Sequence, residues 1–176
     1  GKPTSNIAAA RAVLDNISAM YAVFHGPAGL RAIAEQVHNL TRVLDDSLTA
    51  AGYRQTNTAY FDTLRIEAAD IPVVRQIAED AGINFLYAGS EIGISLDETT
   101  TLDDVGDIAR VFTAAPGREA KLVVRNYAPF SLKAPAALSR TSEYLTHPVF
   151  NTHHSEMEMM RYIRRLERKD IGLDTS

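Results

Sequence analysis

The sequence has 176 residues, of which 45% are hydrophobic and 23% charged, a composition typical of a globular protein with one or two cores. Its net charge of −4 offers no basic surface that would favour nucleic acid or a membrane as a partner. The chain has no cysteine, which excludes disulfides and thiolate metal sites. It shows neither an apolar run of roughly 20 residues nor a secretory signal, so we expect a soluble, intracellular protein.

The first part of the chain predicts two long helices. Apolar residues recur at a spacing of three and four from Ile7 to Phe24, and Gly26-Pro27 ends this pattern. A second helix is predicted to begin at Pro27, because the fixed φ of proline suits a first helical turn. Gly52 ends it, since glycine is favoured just after a helix C-terminus.

The middle of the chain changes to an alternating pattern that predicts strands. A strand over residues 64–68 is followed by a short helix, which Asp70 caps and Gly82 ends. Two further strands, 85–87 and 92–96, are separated by a Gly-Ser turn and form a predicted hairpin. We therefore expect these strands to lie in one small sheet.

A last helix of this region is predicted from Thr101 to Phe112, with Thr101 and Asp104 as its capping pair. The predicted order is two helices, a strand, a helix, two strands and a helix. Such an order indicates an α+β fold, with a small antiparallel or mixed sheet and helices on one face.

The rest of the chain predicts a linker and a helical tail. Residues 113–140 contain three prolines and only a short apolar run, which indicates a linker or excursion. Helical periodicity returns at Met159, in a segment too short to form a core alone. We therefore divide the chain into a domain at 1–112, an excursion at 113–140 and a tail at 141–176.

The tail contains the most conspicuous polar cluster, His153, His154, Ser155 and Glu156. Ser155 and Glu158 have the spacing of a helix-capping pair, which accounts for part of it. Two adjacent histidines at a helix start cannot point at one metal ion, since helical ligand pairs lie four residues apart. Binding of a phosphate or carboxylate near the helix N-terminus and a solvent-facing cap both remain open.

For two other groups of polar residues, the sequence favours a structural role over a catalytic or nucleic-acid-binding one. Asp97 and Glu98 are adjacent carboxylates that could do acid–base work, but turn and capping roles suffice between a strand and a helix. The basic residues within 161–169 are interleaved with Glu158, Glu167 and Asp170, which indicates a solvated, self-paired helix face rather than a nucleic-acid patch.

Several stretches follow the order of one protein family almost throughout the chain. They are "AMYAVFHGPAGLRAIAEQVHNLT", "YFDTL", "GISLDETTT" and above all "LTHPVFNTHHSEMEMMRYIRRLERKDIGLD". The chain thereby resembles glycine decarboxylase, the P-protein of the glycine cleavage system. The resemblance implies the small domain of the first, cofactor-free half of a fold type I pyridoxal phosphate enzyme. A connector helix over 141–176 would then lead into a catalytic second half.

The resemblance also implies the activity of the parent enzyme. Glycine is decarboxylated with pyridoxal phosphate, and the aminomethyl group passes to the lipoyl arm of the H-protein. The implied partners are the remaining domains, the H-protein and a second copy of the full enzyme. The implied location is the bacterial cytoplasm, or the mitochondrial matrix in a eukaryote.

The resemblance places the catalytic lysine outside this chain. None of Lys2, Lys121, Lys133 and Lys169 stands in a pattern that resembles the cofactor site. We therefore expect this chain alone to be inactive and to bind neither pyridoxal phosphate nor a metal. The cluster His153, His154, Ser155 and Glu156 is expected to line the active site of the full enzyme.

Two other functions stay open on the residues alone. The α+β part could be a self-standing module that binds a small molecule or regulates a partner, with the tail as a docking segment. An autonomous hydrolase or transferase that uses Asp97 and Glu98 has less support.

Overall fold

A computed structural model describes residues 5–114, 121–127 and 132–172, with side chains from residue 11 onward. These residues contain four α-helices: α1 (Ser5–Ala50), α2 (Ile71–Asp80), α3 (Leu102–Ala114) and α4 (Glu156–Glu167). They also contain four strands: β1 (Arg54–Gln55), β2 (Thr63–Glu67), β3 (Leu86–Ala88) and β4 (Glu91–Ser95). The strands form one antiparallel sheet in the order β1-β2-β4-β3, so the fold is α+β, as predicted.

The first helix, α1, is interrupted at Gly26. This residue has φ 61° and ψ −176°, a conformation outside the helical region that glycine adopts at little cost. Pro27 follows, and it has no N–H with which to continue the helical hydrogen bonds. The predicted end of one helix and start of another at this dipeptide are therefore confirmed.

The chain divides into two compact units. The smaller unit consists of Gly1–Ala32 and Thr141–Ser176, and the larger unit is Ile33–Arg140. The division at residues 112 and 140 that the sequence suggests stays a prediction.

The larger unit is built on one apolar face of the sheet. Leu64 pairs with Ile94 and Ile66 with Ile92 across β2 and β4, and all four side chains are buried. The opposite face carries exposed charged residues such as Arg65, so the helices cover one side only. The helical part of this core is Val37, Val43, Leu44 and Leu48 from α1, Val74 and Ala78 from α2, and Val105, Ile108, Val111 and Phe112 from α3.

The predicted helix caps are present in the structure. The carboxylate of Asp70 accepts a hydrogen bond from the backbone N–H of Val73 at 3.3 Å. At the start of α3, Asp104 accepts from the backbone N–H of Thr101 at 2.8 Å, and Thr101 Oγ accepts from the N–H of Asp104 at 3.2 Å. Each pair satisfies donors that a helix start leaves free.

Some elements of the structure could not be predicted from the sequence. Strand β1 has only two residues, too few to show alternation, and β3 begins one residue later than predicted. Within 113–140, Leu122 and Tyr127 pack against the core of the larger unit, and residues 115–120 and 128–131 lie outside the described part. A short apolar run in a proline-containing stretch gives no periodicity from which these contacts could be read.

Candidate functional site

The polar cluster predicted from the sequence lies at the start of α4, in the smaller unit. Ser155 has extended backbone angles, and its hydroxyl accepts a hydrogen bond from the N–H of Glu158 at 3.3 Å. Glu156 and Glu158 stand in the first turn, where the helix dipole favours negative charge. The predicted capping role of Ser155 is therefore confirmed.

The first histidine of the cluster, His153, packs along α4. Its ring stacks on Tyr162 with centroids 4.4 Å apart and planes 16° apart. Its Nε2 lies 3.3 Å from a guanidinium nitrogen of Arg165. Because a guanidinium can only donate, Nε2 is the acceptor in this contact.

The second histidine, His154, bonds to the interrupted helix α1. Its Nδ1 lies 2.7 Å from the carbonyl oxygen of Phe24, and a carbonyl accepts, so Nδ1 donates. Phe24 is in the last turn before the break at Gly26, where helical carbonyls lack partners further along the helix. His154 thus acts as a side-chain cap for a helix end that is distant in sequence.

The glycine at the break permits this contact. A Cβ at Gly26 would lie 2.5 Å from Cε1 of His154 and 2.6 Å from the carbonyl oxygen of Phe150, closer than van der Waals contact allows. Tyr144 adds a hydrogen bond from its hydroxyl to the carbonyl of Pro27 at 2.6 Å. We call these contacts of Gly26 and its neighbours with Tyr144, Phe150 and His154 the helix-break clasp.

The two histidines therefore serve different neighbours. His153 faces Tyr162 and Arg165, whereas His154 faces the backbone of Phe24. Across the described ranges, no group of three or more histidine, aspartate or glutamate side chains could hold a metal ion. The role of the segment 153–156 in an active site stays a prediction.

Of the adjacent carboxylates Asp97 and Glu98, Asp97 is bound within a turn. Asp97 accepts hydrogen bonds from the N–H and the hydroxyl of Thr99 at 2.9 and 2.7 Å. These bonds, with a weaker one from Thr100, hold the pKa of Asp97 below its ordinary value. Asp97 is therefore an ionised turn residue, as expected from its position between strand and helix.

The expectation that the lysines of this chain hold no pyridoxal phosphate stays a prediction. A lysine that forms a Schiff base needs a cleft that also holds the ring and the phosphate. Lys121, Lys133 and Lys169 are exposed, Lys133 also lines the polar hollow described next, and Lys2 lies outside the described residues.

A polar hollow of about 510 Å³ in the larger unit was not foreseen from the sequence. Tyr60 donates to the carboxylate of Asp45 there at 2.6 Å, and burial with this bond raises the pKa of Tyr60. The amide nitrogen of Gln55 is buried without a hydrogen-bond partner in the described part of the chain. The hollow is lined by Asp45, Thr49, Gly52, Tyr53, Arg54, Gln55, Asn57, Thr58, Tyr60 and Lys133.

A buried histidine, His38, is hydrogen-bonded to the backbone N–H of Lys133. Nδ1 of His38 lies 2.8 Å from the carbonyl of Phe61, and Nε2 accepts from the N–H of Lys133 at 3.1 Å. One nitrogen donates and the other accepts, so the ring is neutral in this arrangement. The partners are 23 and 95 residues away, which is why no local pattern reveals this histidine.

No α-helix within the described residues is both long enough and apolar enough to cross a bilayer.

Comparison with known proteins identifies the family. Residues 1–112 match the family model of the glycine cleavage system P-protein. The chain is 47% identical over 176 residues to a glycine dehydrogenase (decarboxylating) of Flavobacterium johnsoniae, with 99% of this chain and 18% of the relative covered. Enzymes of the same name from Deinococcus radiodurans and Vibrio cholerae are 48% and 45% identical, with 98% of this chain covered in each and 17% and 18% of the relative.

The chain thus spans about 18% of the length of the curated relatives that it matches. The match to the relative from Flavobacterium johnsoniae covers 99% of the chain and so includes both segments of the smaller unit. The chain belongs to the glycine cleavage system P-protein family.

Proposed function

We propose that this chain is an internal part of a glycine dehydrogenase (decarboxylating). The whole enzyme would decarboxylate glycine with pyridoxal phosphate and transfer the aminomethyl group to the lipoyl arm of an H-protein. The supporting observation is that relatives of this name match 98–99% of the chain with only about 18% of their own length. Such a match is expected of a segment within a longer enzyme.

In this proposal, the residues that bind pyridoxal phosphate lie outside this chain. Pyridoxal phosphate supplies an electron sink when carbon dioxide leaves glycine. None of the four lysines of this chain stands in a sequence pattern that resembles its attachment site, so no catalytic step is assigned to them. The chain alone would be inactive.

The proposed place of the chain in the enzyme follows the domain prediction. Residues 1–112 would form the small domain of a first half, 113–140 an excursion, and 141–176 a connector to the catalytic half. The segment 153–156 would then lie at the catalytic cleft. One contact supports this placement. His154 is hydrogen-bonded to the backbone of Phe24, so the segment 153–156 has a defined position within the smaller unit.

The remaining domains of the enzyme are the partners that the family membership supports. Docking of an H-protein, assembly into a homodimer and a cytoplasmic location belong to the same proposal.

Two measurements test this function. The product of the complete gene should exchange glycine carboxyl carbon with bicarbonate when pyridoxal phosphate and H-protein are present. The 176-residue chain, mixed with pyridoxal phosphate, should give no aldimine absorbance band. Absence of exchange by the complete product, or a clear band on the chain alone, would refute the proposal.

A second candidate is a self-standing module that binds a small molecule. The polar hollow favours it, because a concave volume of about 510 Å³ lined by several hydrogen-bonding side chains suits a small polar ligand. The mass of the native gene product separates the two functions. A product no longer than this chain would support the module, and a much longer one the enzyme.

A further inference from the structure

The first segment of α1, up to the break at Gly26, carries an apolar stripe that the described residues of the smaller unit leave largely exposed at Val13, Leu14 and Ile17 and partly exposed at Tyr21 and Phe24. Val13, Ile17, Tyr21 and Phe24 follow the three-and-four spacing of one helix face, with Leu14 beside them. The exposed fractions of Val13, Leu14 and Ile17 are 58%, 63% and 59%. Helices α2 and α3 of the larger unit, by contrast, bury their apolar faces against the sheet.

Part of the stripe forms one wall of a groove of about 410 Å³. Met159 of α4 stands on the other side, so the groove combines two segments that are distant in sequence. Asn16 and His25 are polar residues of its lining, and among the described side chains no aspartate, glutamate, lysine or arginine lines it. The described residues that line the groove are Asn16, Ile17, Met20, Tyr21, Phe24, His25 and Met159.

The groove is held by the helix-break clasp. His154, at the start of α4, bonds to the carbonyl of Phe24, one of the groove residues. His25, another groove residue, packs against the rings of Tyr21 and Phe24 with centroids 4.3 and 5.1 Å apart. The two walls are therefore fixed to each other before anything binds, and a preformed apolar groove loses little conformational entropy on binding.

The composition of the groove favours a permanent contact. Monomeric proteins rarely leave a continuous apolar stripe in water, and charged residues are depleted at the centres of stable interfaces. Most of the length of the matched relatives lies outside the region that corresponds to this chain. A segment of the same polypeptide is present at high effective concentration, which favours it over a separate protein.

We propose that this groove is the docking surface for an apolar helix or sheet face from another part of the same polypeptide. The inference rests on the proposed function only in requiring a longer gene product. It adds the surface by which the smaller unit joins the rest of the protein.

The test compares the complete gene product with the 176-residue chain by hydrogen exchange. Amides of residues 11–25 should exchange at least about tenfold more slowly in the complete product, because docking would stabilise this helix segment. The variant Ile17→Glu should remove most of that protection. The matched control is Ala19→Glu, an exposed position on the opposite side of the same helix, which should leave exchange unchanged.

Two results would overturn the inference. One is equal exchange of residues 11–25 in the chain and in the complete product, or protection that Ile17→Glu leaves intact. The other is a dimer of the 176-residue chain that Ile17→Glu dissociates while the complete product shows no protection, which would assign the groove to a second copy. Protection without glycine–bicarbonate exchange would refute the proposed function and leave the docking surface standing.

Discussion

At the scale of single residues, two separate structural features favour glycine at position 26. Its φ of 61° is unfavourable for any residue with a Cβ, and the space for a Cβ is taken by His154 and by the carbonyl of Phe150. The contacting atoms include backbone, which cannot turn away as a flexible side chain would. This glycine is therefore fixed by the clasp as well as by the turn.

We predict that Gly26→Ala destabilises the chain by about 2–4 kcal/mol, since strain of about 1–3 kcal/mol at a positive φ is joined by a steric clash. The change is measured as the free energy of unfolding in urea. The matched control is Gly82→Ala, which has a φ of 72° but nothing within 4 Å of the added Cβ. The control should cost only the backbone strain, about 1–2 kcal/mol.

The steric contribution to the cost of Gly26→Ala can be measured separately in a chain that also carries His154→Ala. His154→Ala removes the side chain that an added Cβ would meet, so Gly26→Ala should cost less there than in the parent chain. Equal costs at Gly26 and Gly82, or no relief by His154→Ala, would contradict a clasp at this position.

At the scale of elements, residues 121–127 are attached to the second segment of α1, the one that follows Pro27. Tyr127 donates to the carboxylate of Asp46 at 2.9 Å, and the guanidinium of Arg42 lies 4.1 Å from the centre of its ring. The N–H of Val123 donates to the hydroxyl of Ser47 at 2.9 Å. A stretch without regular secondary structure is thus held by side chains of a helix.

This attachment predicts a loss of stability in alkali. Burial and the bond to Asp46 raise the pKa of Tyr127 to about 12, above the ordinary value of 10.0. A group whose pKa is raised by folding contributes its full stabilisation below the unfolded pKa and loses it as pH rises through the folded one. The free energy of unfolding should therefore fall between pH 10 and 12.

Urea unfolding across this range measures the effect. Tyr127→Phe should be less stable than the parent below pH 10 and should show a shallower fall above it. Tyr60→Phe should behave likewise, because burial and the bond to Asp45 raise the pKa of Tyr60 as well. A fall of unchanged slope in both variants would show that these tyrosines do not carry the pH dependence.

Elements and caps followed from the sequence where the signal is local. The alternation of Leu64 and Ile66 predicts β2, and the spacing of Thr101 and Asp104 predicts the cap of α3, because each rests on neighbours within a few residues. The partner of His154 could not be predicted, since Phe24 is 130 residues away. The same holds for the polar hollow, which forms only when Lys133 meets a distant helix and strand.

At the scale of the whole molecule, family membership and fold agree with a segment of a larger enzyme. The smaller unit joins residues from both ends of the chain, and the clasp links them. A clasp of this kind could serve an active site without touching substrate, by fixing the position of the neighbouring residues His153 and Ser155.

We predict that His154→Ala in the complete gene product lowers the kcat of glycine–bicarbonate exchange by at least about tenfold, because misplacement of nearby groups by about 1 Å is costly in catalysis. His154→Asn should restore much of the rate, since its amide can donate to the carbonyl of Phe24 in place of Nδ1.

The comparison is made at His153. If the ring of His153 itself faces the substrate, His153→Ala should lower the rate and His153→Asn should not restore it. Rescue at His154 with no rescue at His153 would make the first a positioning residue and the second a residue of the cleft. Full exchange in both alanine variants would remove the segment 153–156 from the active site.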